Sequence, residues 1–150
     1  MDKESLKNEA MNFLKEQPMG VIATVGKDGI PEAASVNYLL DENQIVCVLT
    51  DKDSRKVQNL RDNPHIAFVV GTTPVPHTVQ IQGTAEIIES SNDLYEGMLQ
   101  KIVDSKRLES DPMYNMFGHN YDILKITITW MRWLYFDKSN GNPVYTEVIP

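Results

Sequence analysis

The stretch Gly20–Leu40, GVIATVGKDGIPEAASVNYLL, decides the fold class. Val21 to Val25 is a β-rich run, Gly26-Lys27-Asp28-Gly29 is a turn, and Ala33 to Leu40 is a second β-rich run. An Asp-Gly pair between two such runs supplies the conformational freedom that a tight reversal requires, so the stretch reads as a β-hairpin. Asp41-Glu42-Asn43-Gln44 then turns the chain into Ile45–Thr50, giving three consecutive antiparallel strands. His65–Val70 is a further strand. Thr78–Glu89 alternates with period two, with Val79, Ile81, Gly83, Ala85 and Ile87 on one side and Thr78, Gln80, Gln82, Thr84 and Glu86 on the other. That pattern is a half-buried strand. Asp122–Phe136 is a long β-rich run, and Ser139-Asn140-Gly141-Asn142-Pro143 turns it into a last strand, Val144–Ile149.

Helical periodicity appears between the strands. Asp2–Gln17 carries Leu6, Ala10, Phe13 and Leu14 at helical spacing until Pro18 stops it. A short helix capped by Asp53 or Ser54 turns Val57 and Leu60 inward and ends at Asn63-Pro64. Ser90–Leu108 is a third, with Asp93 and Glu96 in capping-box relation and Leu94, Met98 and Ile102 on one stripe; Asp111-Pro112 starts another helical turn. About seven strands and three or four helices, joined by hairpins without βαβ alternation, describe an α+β fold: an antiparallel β-barrel with helices packed outside it. No repeat or linker divides residues 1–150, so a single domain is expected.

Composition narrows the functional classes. The chain has 150 residues, 41% of them hydrophobic, enough for a real core without staples. A formal charge of −7 repels phosphate backbones and anionic lipid, so neither nucleic acid nor membrane is expected as a partner. A lone Cys47 between apolar neighbours, no secretory pattern in MDKESLKNEA and no long apolar run together suggest a cytoplasmic protein. Metalloprotease, nucleophile-elbow, Walker and dinucleotide-fold motifs are all missing, and His65, His77 and His119 lack metal-ligand spacing. No metal ligand and no catalytic residue is assigned.

One constellation stands out. Arg55 and Lys56 open the short helix, at the end where the macrodipole is already positive and cations are disfavoured. An anion should compensate. Free N–H groups at the helix start, the Ser54 hydroxyl and the two cations form a cradle for a phosphate; alternatively, Asp51 and Asp53 neutralise the cations locally. Two other features also read two ways. Thr78, Gln80 and Gln82 are a hydrogen-bonding row for a flat heterocycle or the wet face of a sheet. Trp130, Trp133, Tyr135 and Phe136 are a stacking platform, a dimer seal or core.

In order, GVIATVGKDGIPEAASVNYLL, a strand ending in Thr50, DSRKVQNLRDNPHIAFVV and TVQIQGTAEII resemble the pyridoxamine 5′-phosphate oxidase-like family of FMN-binding split barrels, from about Gly20 to Ile88. The most specific element is S-R-K-x-x-N-L-x-x-N-P after a strand ending in Thr. The resemblance implies a homodimeric split barrel with a flavin in each of two interface clefts. It also implies that Arg55 and Lys56 hold the flavin phosphate beside Ser54 and Thr50, that the backbone of Ala34, Ser35, Val36 and Asn37 runs along the isoalloxazine, and that Gln80 lies near the ring. Two cations of the true pyridoxamine phosphate oxidases fall on Ala34 and Leu39 here, and their C-terminal R-L-H-D-R motif has no counterpart in the tail NPVYTEVIP. Vitamin B6 oxidation is therefore not expected. The chain looks like the smaller members: flavin reductases of the nitroimidazole-resistance (NimA) type, general stress proteins, and relatives using F420 or haem-related ligands. The expectation is an FMN-dependent oxidoreductase passing electrons from a small-molecule donor to a small, flat acceptor such as a nitroaromatic. The alternatives are a non-catalytic flavin-binding module and an F420-dependent reductase.

Overall fold

The computed structural model describes residues 2–71, 76–106 and 120–150. Helix α1 spans Lys3–Glu16; the Asp2 carboxylate caps it by accepting from the Ser5 N–H at 2.8 Å, and Leu6, Ala10, Met11 and Leu14 form its buried face. Strands β1 (Met19–Val25) and β2 (Pro31–Asn37) pair antiparallel in full register. Their connection turns at Gly29 with φ of 72°, and the Asp28 carboxylate accepts from the Ile30 N–H at 3.0 Å.

The expected run Ala33–Leu40 is two strands. β2 starts earlier, at Pro31, and the chain breaks at Tyr38 before β3 (Leu39–Leu40), which pairs with β4 (Ile45–Asp51) instead of continuing beside β1. Tyr38 holds the corner: its ring is buried edge-on against Phe68 at 5.3 Å, and its hydroxyl donates to the Leu14 carbonyl. The three-strand meander expected here is therefore replaced by two hairpins at opposite ends of one sheet. That sheet runs β2-β1-β5-β6-β7-β4-β3, with β5 at His65–Gly71, β6 at Thr78–Ile88, β7 at Tyr121–Phe136, and β8 (Pro143–Ile149) pairing with β7 off this path. Since β2 and β3 are consecutive in the chain, the two ends of the sheet are tied together through Tyr38. This is how an antiparallel sheet curls into a split barrel.

Inside lie Ile22, Val46, Val48, Phe68, Val79, Ile81, Leu124, Ile126 and Met131, closed off by α1 and by α2 (Arg55–Asp62), which contributes Val57 and Leu60. Each fully buried aliphatic side chain stabilises the fold by about 1.5–3 kcal/mol. A second cluster, Cys47, Ile88, Tyr95, Ile102 and Ile123, packs α3 (Tyr95–Asp104) on the outer side of β4 and β7. α3 is shorter than the expected Ser90–Leu108. Asn92 organises the turn ahead of it by accepting from the Leu94 N–H at 2.9 Å, and the helix has no side-chain cap, so the Asp93–Glu96 capping box does not form. Leu94 is exposed rather than on the buried stripe. The expected continuation past 106 and the Asp111-Pro112 turn lie outside the described residues. β6 and β7 shift register between Gln82 and Gly83, where a Cβ on residue 83 would stand 2.3 Å from the Thr127 carbonyl oxygen. No described helix is long and apolar enough to cross a membrane.

Candidate functional site

α2 starts directly after β4, so the chain delivers Thr50, Ser54, Arg55 and Lys56 to one end of the barrel within seven residues. The Thr50 and Ser54 hydroxyls lie 3.4 Å apart. Ser54 occupies the N-cap of α2 in extended conformation, yet its side chain makes no cap hydrogen bond, and the first turn holds no acidic residue. The N–H groups of that turn therefore lack the acceptor an N-cap serine ordinarily provides. Lys56 is partly buried, and desolvation lowers its pKa, opposed by the negative charges of Asp51 and Glu32. A partly desolvated ammonium carried on the same turn as uncapped backbone donors is suited to an anion.

The compensating charge for Arg55 is neither Asp51 nor Asp53. Asp51 accepts from the Asp53 N–H at 2.8 Å within the loop, while Arg55 Nη1 reaches across to Glu32 Oε1 on β2 at 2.9 Å. The other oxygen of Glu32 accepts from Asn59 Nδ2 at 3.3 Å, and the same amide donates to Thr24 Oγ1 on β1 at 3.1 Å. Three elements thus meet at this corner: β1, β2 and α2. Among the described residues, the buried polar or charged ones are Thr24, Thr50 and Asp122, and Asp122 stands opposite Thr50 in the β4–β7 ladder. Burial pushes the Asp122 carboxyl above its usual range, with Glu89 adding to the effect, and its Oδ2 has no partner among the described residues. Glu32, Asn59, Thr24 and Asp122 were not among the residues singled out from sequence. Glu32 had a detectable signal, since it shares the inward row of β2 with Ala34 and Val36 and is the only charge in it. Starting that strand at Ala33 hid it.

The remaining expected residues lie elsewhere on the sheet. Ala34, Ser35, Val36 and Asn37 are on β2, which among the described residues pairs only with β1, so alternate backbone groups of this strand face away from its partner. Ser35 opens a row across the outer face: Ser35 opposite Val21, Val21 opposite Val69, Val69 opposite Gln80, and Gln80 opposite Arg132. Gln80 is therefore three strands from Ser35, roughly 14 Å at the ordinary strand spacing. The structure places the two on one face but not side by side. The Gln80 amide oxygen accepts from Arg132 Nε at 2.9 Å, and the Arg132 guanidinium lies 4.9 Å from the Tyr145 ring centroid. Between β1 and β6 a groove of about 270 Å³ is lined by Val21, Ala67, Val69, Gln80, Gln82 and Trp130. Of the aromatic group, Trp133 is buried, 5.1 Å from Phe13 and stacked on His77 at 5.7 Å, so it belongs to the core. Cys47 is likewise buried, its thiol pushed up to about 11. Among the described residues no group of His, Cys, Asp and Glu is arranged to hold a metal.

Residues 6–134 match the sequence pattern of the pyridoxamine 5′-phosphate oxidase family. A reductase of 5a,11a-dehydrotetracycline and 5a,11a-dehydrooxytetracycline from Streptomyces rimosus is 35% identical over 86 residues, which are 52% of this chain and 61% of that protein. The chain thus matches less than two thirds of that relative's length. The general stress protein 26 of Bacillus anthracis superimposes with a TM-score of 0.64 at 22% identity, over 95% of this chain and 98% of the other. A pyridoxamine 5′-phosphate oxidase-related FMN-binding protein of Nostoc punctiforme superimposes with a TM-score of 0.64 at 14% identity, over 98% and 95%. At these identities the two structures show a shared fold.

Proposed function

Since the chain belongs to the pyridoxamine 5′-phosphate oxidase family, we propose that it is an FMN-dependent oxidoreductase acting as a homodimer, with the flavin phosphate held at the start of α2. The observation that carries this reading is the Thr50–Ser54–Arg55–Lys56 corner, where two neighbouring hydroxyls lie at an uncapped helix start whose first two residues are cations. In this reading Lys56 and Arg55 supply charge-assisted hydrogen bonds, and Ser54 donates its hydroxyl. The outward-facing backbone groups of β2 along Ala34–Asn37 hydrogen-bond the ring edge. Gln80, too far across its own sheet to share that ring, serves the flavin bound chiefly by the partner subunit. The dimer is supported by the exposed apolar side chains Val21 and Val69 on the same outer face, which a second copy would cover.

Flavin supplies hydride and electron transfer, so no acid or base from the chain is obligatory. The protein's part is to orient the ring, exclude water and admit a flat substrate along the groove beside Gln80 and Trp130. A reduced nicotinamide is the proposed donor and a small electron-poor ring, such as a nitroaromatic, the proposed acceptor. Vitamin B6 oxidation is not part of this reading, because Ala34 and Leu39 provide no cations for a substrate phosphate. The test is spectroscopic. Protein purified gently, or incubated with FMN and desalted, should carry the two-banded flavin spectrum; reduced nicotinamide should bleach it anaerobically, and a nitroaromatic should restore it. Parallel titration with F420 decides between the two ring systems. A colourless protein that retains neither ring contradicts the proposal.

A further inference from the structure

We propose that Glu32 sets the affinity and charge selectivity of the phosphate corner, as an internal carboxylate that engages Arg55 and competes with the incoming anion. This rests on the phosphate reading above. The carboxylate is anchored from two sides, accepting from Arg55 Nη1 at 2.9 Å and from Asn59 Nδ2 at 3.3 Å, while Asn59 is itself tied to Thr24 at 3.1 Å. The side chain of Glu32 is 30% exposed against 84% for Arg55. The fixed partner is therefore the carboxylate and the movable one the guanidinium, whose further N–H donors are able to turn toward a ligand. Lys56 feels Asp51 first and Glu32 after it, so of the two carboxylates it is Glu32 that bears on Lys56 while also pairing with Arg55.

The consequence is a selectivity by charge. A phosphate monoester brings between one and two negative charges at neutral pH, and the fixed carboxylate repels it. A diester brings one and is repelled less; a tail without phosphate is indifferent. Glu32→Gln keeps the shape and an acceptor oxygen for Arg55, and removes only the charge.

The experiment titrates the full chain and its Glu32→Gln variant with FMN and with riboflavin, following flavin fluorescence at two salt concentrations. The variant is expected to bind FMN at least about tenfold more tightly, the scale of one unit charge a few ångströms away near a protein surface. Riboflavin affinity should stay within about twofold, and the salt dependence for FMN should steepen, because the net positive charge facing the phosphate rises. FMN affinity unchanged or weakened, with riboflavin unaffected, overturns the inference and makes Glu32 a strut that positions Arg55. Equal shifts for both ligands also overturn it, because the effect then acts on the ring or the fold. If neither protein binds FMN, the flavin reading itself fails and this inference falls with it, a result distinct from the other two.

Discussion

Replacing both Arg55 and Lys56 with alanine is expected to weaken FMN binding while sparing riboflavin. A hydrogen bond to a charged group is worth about 1.5–3 kcal/mol. The Arg55 side chain is 84% exposed, so its share falls at the lower end, whereas partly buried Lys56 falls nearer the upper. Together they account for about 3–4 kcal/mol, or roughly a 10²–10³-fold rise in Kd. Neither side chain is a core residue, so the fold should persist with little change in Tm. The assay is fluorescence titration at about 0.1 M salt, where the Debye length is roughly 10 Å and distant surface charges are screened. The Lys56→Ala single variant should lose more affinity than Arg55→Ala, because Lys56 is the more desolvated cation and Arg55 is exposed and already paired with Glu32. Full FMN affinity in the double variant, or a parallel loss for riboflavin, would refute the placement of the phosphate.

Gly83→Ala should lower Tm by about 5–10 °C in a thermal melt: with the Thr127 carbonyl oxygen 2.3 Å from the new Cβ, β6 and β7 must separate and lose two or so ladder bonds, about 2–3 kcal/mol. An unchanged Tm would mean the strands do not approach so closely at this register shift. Leu14→Ala removes a fully buried anchor of α1 and should cost about 2–5 kcal/mol by denaturant titration; a loss under about 1 kcal/mol would show α1 to be loosely attached. Burial raises the Cys47 thiol from 9.0 to about 11, so the neutral thiol stabilises the fold fully below about pH 9, and that contribution is lost as pH rises through about 11. Alkylation at pH 8 should be slow until the chain unfolds, and Cys47→Ala should flatten the fall in stability across pH 9–11; identical profiles for the two proteins would contradict the shift.

Local patterns were legible where burial alternates simply. Thr78–Glu86 alternates as its side chains suggest, and Asp2, Pro18 and Asn63-Pro64 bound their helices within a residue or two. Strand order was not legible, because pairing β1 with β5 and β4 with β7 joins segments far apart in sequence, and nothing local specifies the partner. Tyr38 illustrates the limit. Its neighbours continue a β-rich run, and only the tertiary position of Phe68 and the Leu14 carbonyl makes it a corner. At the candidate site, the cations Arg55 and Lys56 at the positive end of α2 could be read from helix electrostatics alone. That Arg55 pairs with Glu32, and not with Asp51 or Asp53, depended on a hairpin and a helix meeting across 23 residues of chain. Asn59 was visible within the S-R-K-x-x-N element, but its hydrogen bonds to Glu32 and Thr24 required the packed corner.

The structure of the FMN-soaked or co-crystallised protein tests the central claim most directly. The flavin phosphate should lie within hydrogen-bonding distance of Ser54 Oγ, the Arg55 guanidinium and Lys56 Nζ, with the ring along the outward edge of Ala34–Asn37. A phosphate seated instead on the outer face, for example against Arg132 and Tyr145, with the α2 corner empty, would contradict it.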